Sequence, residues 1–91
     1  MTDEDAKRQL EEQQRAGEEA QRILGSDLFN KVFDDLRELY IRDAVSAQEA
    51  TARLDRLKAV EVLEHVRGAL GAALMAGKAS QAMLGHNHEV V

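Results

Sequence analysis

Apolar residues recur in steps of three and four along most of this chain and never alternate strictly, which predicts helices and no strands. The clearest stripe is Leu28, Phe29, Val32, Phe33, Leu36, Leu39 and Tyr40, with Asp34, Asp35, Glu38 and Arg42 on other faces. It predicts an amphipathic helix over 27–45. A second stripe, Leu54, Leu57, Val60, Leu63, Val66, Leu70, Leu74 and Gly77, predicts a long helix over 47–84. Its steps of three and four average about 3.3, nearer the 3.5 of coiled-coil packing than the 3.6 of a straight helix. Residues 3–24 hold strong helix formers but only Ala6, Leu10, Ala20, Ile23 and Leu24 as apolar positions, with Gln13 and Gly17 interrupting the stripe. Such a polar helix buries little by itself.

The boundaries carry their own signals. Thr2 with Asp5 caps the first helix, and Asp3, Glu4 and Asp5 favour its positive end. Gly25 is placed to take a left-handed cap after Leu24, and Ser26 or Asp27 to cap the next helix. Ser46-Ala47-Gln48-Glu49 reads as a capping box opening the long helix. Gly68, Gly71 and Gly77 weaken that helix, with Gly77 the candidate break. Residues 85–91 read as a flexible tail.

These lengths bear on assembly. The middle helix spans about 28 Å and the long one about 57 Å, so half of the long helix is left to be covered. The first helix has the length, about 33 Å, but not the apolar surface. Self-association is the more economical cover. The expected fold is all-α: a polar N-terminal helix (1–24), a helical hairpin (27–84) with one long C-terminal helix, and a tail, assembling as a homo-oligomer.

Composition narrows the classes. The 91 residues make at most one small domain, and of the 44% that are hydrophobic many are Ala. With no Pro and no Cys, all-β and disulfide-stapled folds and thiol chemistry drop out. No segment approaches the ~20 apolar residues of a membrane span, and the acidic N-terminus lacks the order of a signal peptide. The chain is expected to stay in the compartment where it is made, with no membrane partner. The net charge of −5 is concentrated in residues 1–45, while 46–85 are mildly basic. Nucleic-acid binding needs a concentrated positive face, so DNA contact is expected only from a multimer that repeats Arg53 and Arg56.

No constellation points to catalysis. Asp34 and Asp35 are adjacent and face apart on a helix, and the pairs Asp27/Lys31 and Glu38/Arg42 are ordinary i,i+4 neighbours. Ser26 and Ser46 serve as caps, and no phosphate loop is present. His86, His88 and Glu89 lie in the expected tail, and His65 is remote, so no metal site and no cofactor are expected. A protein of this size is also expected to leave little room for a ligand pocket. Ala69, Ala73 and Gly77, like Gly68, Ala72 and Ala76, share helix faces at four-residue spacing, where a second backbone can approach. They suit an interface between subunits, a seam within one chain, or helix propensity alone.

The segment Arg22-Ile23-Leu24-Gly25-Ser26-Asp27-Leu28-Phe29, then Phe33 and Tyr40, Leu57-Lys58-Ala59-Val60-Glu61-Val62-Leu63 and Gly77-Lys78-Ala79 resembles small helical head-assembly and DNA-packaging proteins of tailed bacteriophages. Over residues 20–84 it is similar to the oligomerisation hairpin of small terminase subunits, without the DNA-binding helical module those subunits usually carry. The resemblance implies a non-enzymatic component of phage morphogenesis in the host cytoplasm and the virion. It would be a packaging adaptor or a head-associated protein, with a larger phage protein (motor or head component) as partner. The alternative is a small acidic inhibitor or regulatory adaptor of one host protein. The expected interface residues are Leu28, Phe29, Val32, Phe33, Leu36, Leu63, Val66, Leu70, Ala73, Leu74 and Gly77.

Overall fold

A computed structural model of the chain describes the backbone of residues 2–89 and side chains as far as Gly85. Three helices follow in order, α1 (Asp3–Leu24), α2 (Asp27–Ser46) and α3 (Ala50–Glu89), with no strand among the described residues. They form two units, residues 1–24 with 69–91 and residues 25–68.

In the first unit α1 lies on the C-terminal half of α3. The contact is made by backbone, not by bulk. A Cβ added to Gly17 would stand 2.7 Å from the Gly77 Cα and 3.0 Å from the Ala73 carbonyl oxygen. One added to Gly77 would stand 2.7 Å from the Gly17 Cα and 3.0 Å from the Gln13 carbonyl oxygen. The relation is reciprocal, each glycine facing the carbonyl four residues before the other. One layer away, the buried Ser80 hydroxyl donates a 2.7 Å hydrogen bond to Gln13 Oε1. Counting outward in antiparallel register, Ala20, which is buried, falls opposite the Ala73-Leu74 pair, Leu24 opposite Leu70, and Leu10 opposite Leu84. The seam of α1 is therefore Leu10, Gln13, Gly17, Ala20 and Leu24, a three-four repeat of the coiled-coil kind.

This overturns two expectations. Gln13 and Gly17 do not interrupt the stripe of the first helix; they are its centre. The C-terminal half of the long helix is covered by α1, because close backbone approach gains dispersion contacts without large apolar side chains. Gly77 sits inside that seam, and α3 passes through it without a break.

In the second unit α2 pairs with the N-terminal half of α3 around Phe33, which is buried. Its ring lies 5.7 Å from that of Phe29, and the Arg67 guanidinium sits 4.0 Å over its face. Arg67 also reaches Asp34 Oδ1 and Asn30 Oδ1, both at 3.5 Å. Arg37 Nε bonds Glu64 Oε1 at 2.8 Å, and Arg56 pairs with Asp43 at 3.8 Å. Leu36 and Leu63 are half-buried in this unit, and Ala44 is buried near the end of α2.

Several boundaries differ from expectation, each for a local reason. No described residue has positive φ, so Gly25 takes no left-handed cap. The change of direction falls on Ser26, which is extended (φ −76°, ψ 123°) and whose Oγ accepts the Phe29 N–H. Ser46 belongs to α2, not to a capping box: its hydroxyl donates back to the Arg42 and Asp43 carbonyls. Helix α3 consequently starts at Ala50, with the Arg53 amide bonded to the Glu49 carbonyl. Lys31 pairs with Asp35 rather than Asp27, and that hydrogen bond raises the Lys31 ammonium above its ordinary value. Asp27 instead occupies the first turn, where free amides favour a carboxylate. The expected tail is helical as far as Glu89, since no Pro stops the ladder. Val90, Val91 and the side chains of His86, His88 and Glu89 lie outside the described residues. The cap of Thr2 on the Asp5 amide and the Glu38–Arg42 pair are present as read from the sequence.

Two sets of substitutions test this packing. In a free helix Gly→Ala stabilises by up to ~1 kcal/mol, and Gly68 has open space around its Cβ position. Gly68→Ala should therefore raise the melting temperature by a few degrees. Gly17→Ala and Gly77→Ala should each lower it despite the same gain in propensity, because backbone must move apart. Thermal unfolding followed by circular dichroism separates these opposite signs. Phe33→Ala should cost ~3–5 kcal/mol and lower the midpoint by more than about 10 °C. Unchanged melting in that variant would remove Phe33 from the core.

Candidate interaction surfaces

The second unit has two unlike flanks, set by helix phase. At 100° per residue, Asp34, Arg37 and Ile41 lie on one side of the line through Phe33 and Tyr40, while Val32, Leu36 and Leu39 lie on the other. The pairs Arg37–Glu64 and Asp34–Arg67 fix the antiparallel register with α3. The same register sets Leu39 level with Val62 and Leu36 with Val66.

The first flank is polar and crossed by charge pairs. Towards the α2–α3 connection it opens into a shallow niche of about 360 Å³ lined by Ile41, Ala44, Val45, Arg53 and Leu57. The sequence had led us to expect little room for such a space. Arg53 is its lone charged group, and its guanidinium donates to the Ala47 carbonyl at 3.0 Å. An aliphatic niche with one cation already hydrogen-bonded holds no nucleophile and no general base. Arg53 and Arg56 are thus both tied to the connection, through Ala47 and Asp43 respectively.

The second flank is apolar and open. Leu28, Val32 and Leu39 of α2 and Val62 and Val66 of α3 are all exposed, Leu28 at 72% and Val62 at 59%. Of the expected interface residues, the structure thus places Leu28, Val32 and Val66 at the surface of this unit, Phe33 in its core, and Phe29, Leu36 and Leu63 between. Ala73 and Gly77 lie in the α1 seam, with Leu70 and Leu74 half-buried beside it. Leu39, though part of the α2 stripe, and Val62, outside both stripes, were absent from the expected interface, and only the register of the two helices brings them together.

The described residues hold no group of three or more His, Asp or Glu side chains arranged for a metal ion. No helix is long and apolar enough to cross a membrane, among the described residues. Compared with protein-family models, curated proteins and solved structures, the chain matches none.

Arg67 is the side chain that ties the polar flank to the core. Replacing it with Leu removes a cation–π contact and a longer ion pair, contributions of about 0.5–1 kcal/mol each at partly exposed sites. Arg67→Leu should lower stability by ~1 kcal/mol in chemical denaturation, and part of that loss should persist in Arg67→Lys, since an ammonium cannot stack on the ring as a guanidinium does.

Proposed function

We propose that this chain is a non-enzymatic helical assembly protein that works as a homo-oligomer. The observation that supports it is surface. Among the described residues only three apolar side chains are fully buried, while eleven large apolar ones remain exposed. A soluble monomer rarely carries that much unmatched apolar surface, and association is its usual remedy.

The resemblance to small terminase and head-assembly proteins supports bacteriophage morphogenesis, in the host cytoplasm and the virion, as the process this assembly serves. As a packaging adaptor it forms a ring that hands DNA to a larger motor subunit. As a head-associated protein it binds a larger shell component. In a ring, Arg53 and Arg56 recur once per subunit at the α2–α3 connection, and the repetition supplies a positive density that one copy lacks.

Absolute mass by light scattering after size exclusion, at low and high salt, tests the reading. A discrete multiple of 10.1 kDa is expected, and an oligomer of about six or more copies selects the packaging ring. For the ring, DNA affinity should fall steeply with salt and drop further on Arg53→Ala with Arg56→Ala. A 10.1 kDa monomer at all concentrations overturns the assembly reading and moves the function to an acidic adaptor that completes its core on one host protein.

A further inference from the structure

We infer that the apolar flank of the α2–α3 unit, Val32, Leu36 and Leu39 with Val62 and Val66, is covered by the same flank of a second copy, giving a four-helix contact. This rests on the oligomeric reading above and names the surface that carries it.

Three observations select the flank and its occupant. The first is the contrast between the two sides of the hairpin. The polar flank holds Arg37–Glu64 and Asp34–Arg67, pairs whose side chains are about half exposed. Covering it would strip water from four charges, a penalty that often exceeds the attraction between them. The opposite flank has aliphatic residues at its centre.

The second is the rim. On the α2 edge, Lys31 is paired with Asp35 and Arg42 with Glu38, both at the surface. On the α3 edge, Asp55, Lys58 and His65 flank Val62 and Val66 and carry both signs. A rim of one sign would repel its own copy, whereas this nearly neutral rim lets two like surfaces meet.

The third is exposure. Val32, Leu39, Val62 and Val66 are all exposed in the single chain, apolar surface that a second copy would remove from water. A hairpin laid on a hairpin also solves the geometric problem of two helices, because each apolar flank gains facing helices instead of water.

The test compares wild type with Val62→Glu and Val66→Glu on this flank, and with Leu54→Glu and Met75→Glu elsewhere on the exposed surface. Light scattering gives the mass, and circular dichroism confirms that helix content is kept. Wild type should assemble. Val62→Glu and Val66→Glu should each reduce the mass at the concentration where wild type is assembled, with unchanged helicity, while Leu54→Glu and Met75→Glu keep the wild-type mass. An assembled wild type whose Val62→Glu and Val66→Glu variants keep its mass overturns this surface and leaves the oligomeric reading standing. A monomeric wild type overturns both.

Discussion

The close crossing of Gly17 and Gly77 is the constraint on which the first unit depends. A polar helix without large apolar side chains has little hydrophobic reason to stay docked, so α1 must gain its stability another way. Removing two Cβ atoms at the crossing brings backbone to backbone, where many atom pairs sit at contact distance and each Cα faces a carbonyl of the other helix. Each glycine costs up to ~1 kcal/mol of helix propensity. That cost is tolerable only where the approach it permits returns more, which distinguishes Gly17 and Gly77 from Gly68 and Gly71, whose Cβ positions meet nothing within 4 Å.

The second unit solves the same problem with different chemistry. Phe33 supplies bulk, and Arg67 lies over its ring while keeping its charge near Asp34 and Asn30. Such a side chain covers apolar surface with its stem and stays hydrated at its head. The result is a hairpin held by one buried aromatic and a polar flank of ion pairs, each weak at the surface. Specific register comes from those pairs. Most of the stability comes from the ring and its aliphatic neighbours, and this division leaves the opposite flank without a role inside the unit.

What the sequence disclosed depended on the size of the side chains involved. The stripe from Leu28 to Tyr40 is written in large apolar residues and gave α2 almost to the residue. The seam of α1 is written in Leu10, Gln13, Gly17, Ala20 and Leu24, a repeat that looks broken to any reading weighted by hydrophobicity. Only its partner, with Ala73, Gly77 and Ser80 at matching intervals, gives it meaning. Ser46 failed for another reason. A serine three residues before a glutamate fits an N-cap, but the same hydroxyl can bond back to its own helix, and here it does. Gly25 permitted a left-handed turn that the chain made at Ser26 without one.

Two helices side by side have no interior. Each residue on a helix of such a pair meets neighbours across one narrow line, and those 60–80° to either side remain open to water whatever their chemistry. That only three apolar residues are buried among the described ones is a consequence of that geometry as much as of composition. A chain of this kind can cross a flank with charge pairs, as Arg37–Glu64 and Asp34–Arg67 do. The opposite side keeps Val32, Leu39, Val62 and Val66 where lysine or glutamate would serve helix propensity equally well or better. Valine in particular is a poor choice for a solvated helix position, since its branched side chain loses rotamer freedom there and gains no contact. Val32, Val62 and Val66 along one flank are local choices that fit the four-helix contact proposed above, where each would meet a facing helix instead of water.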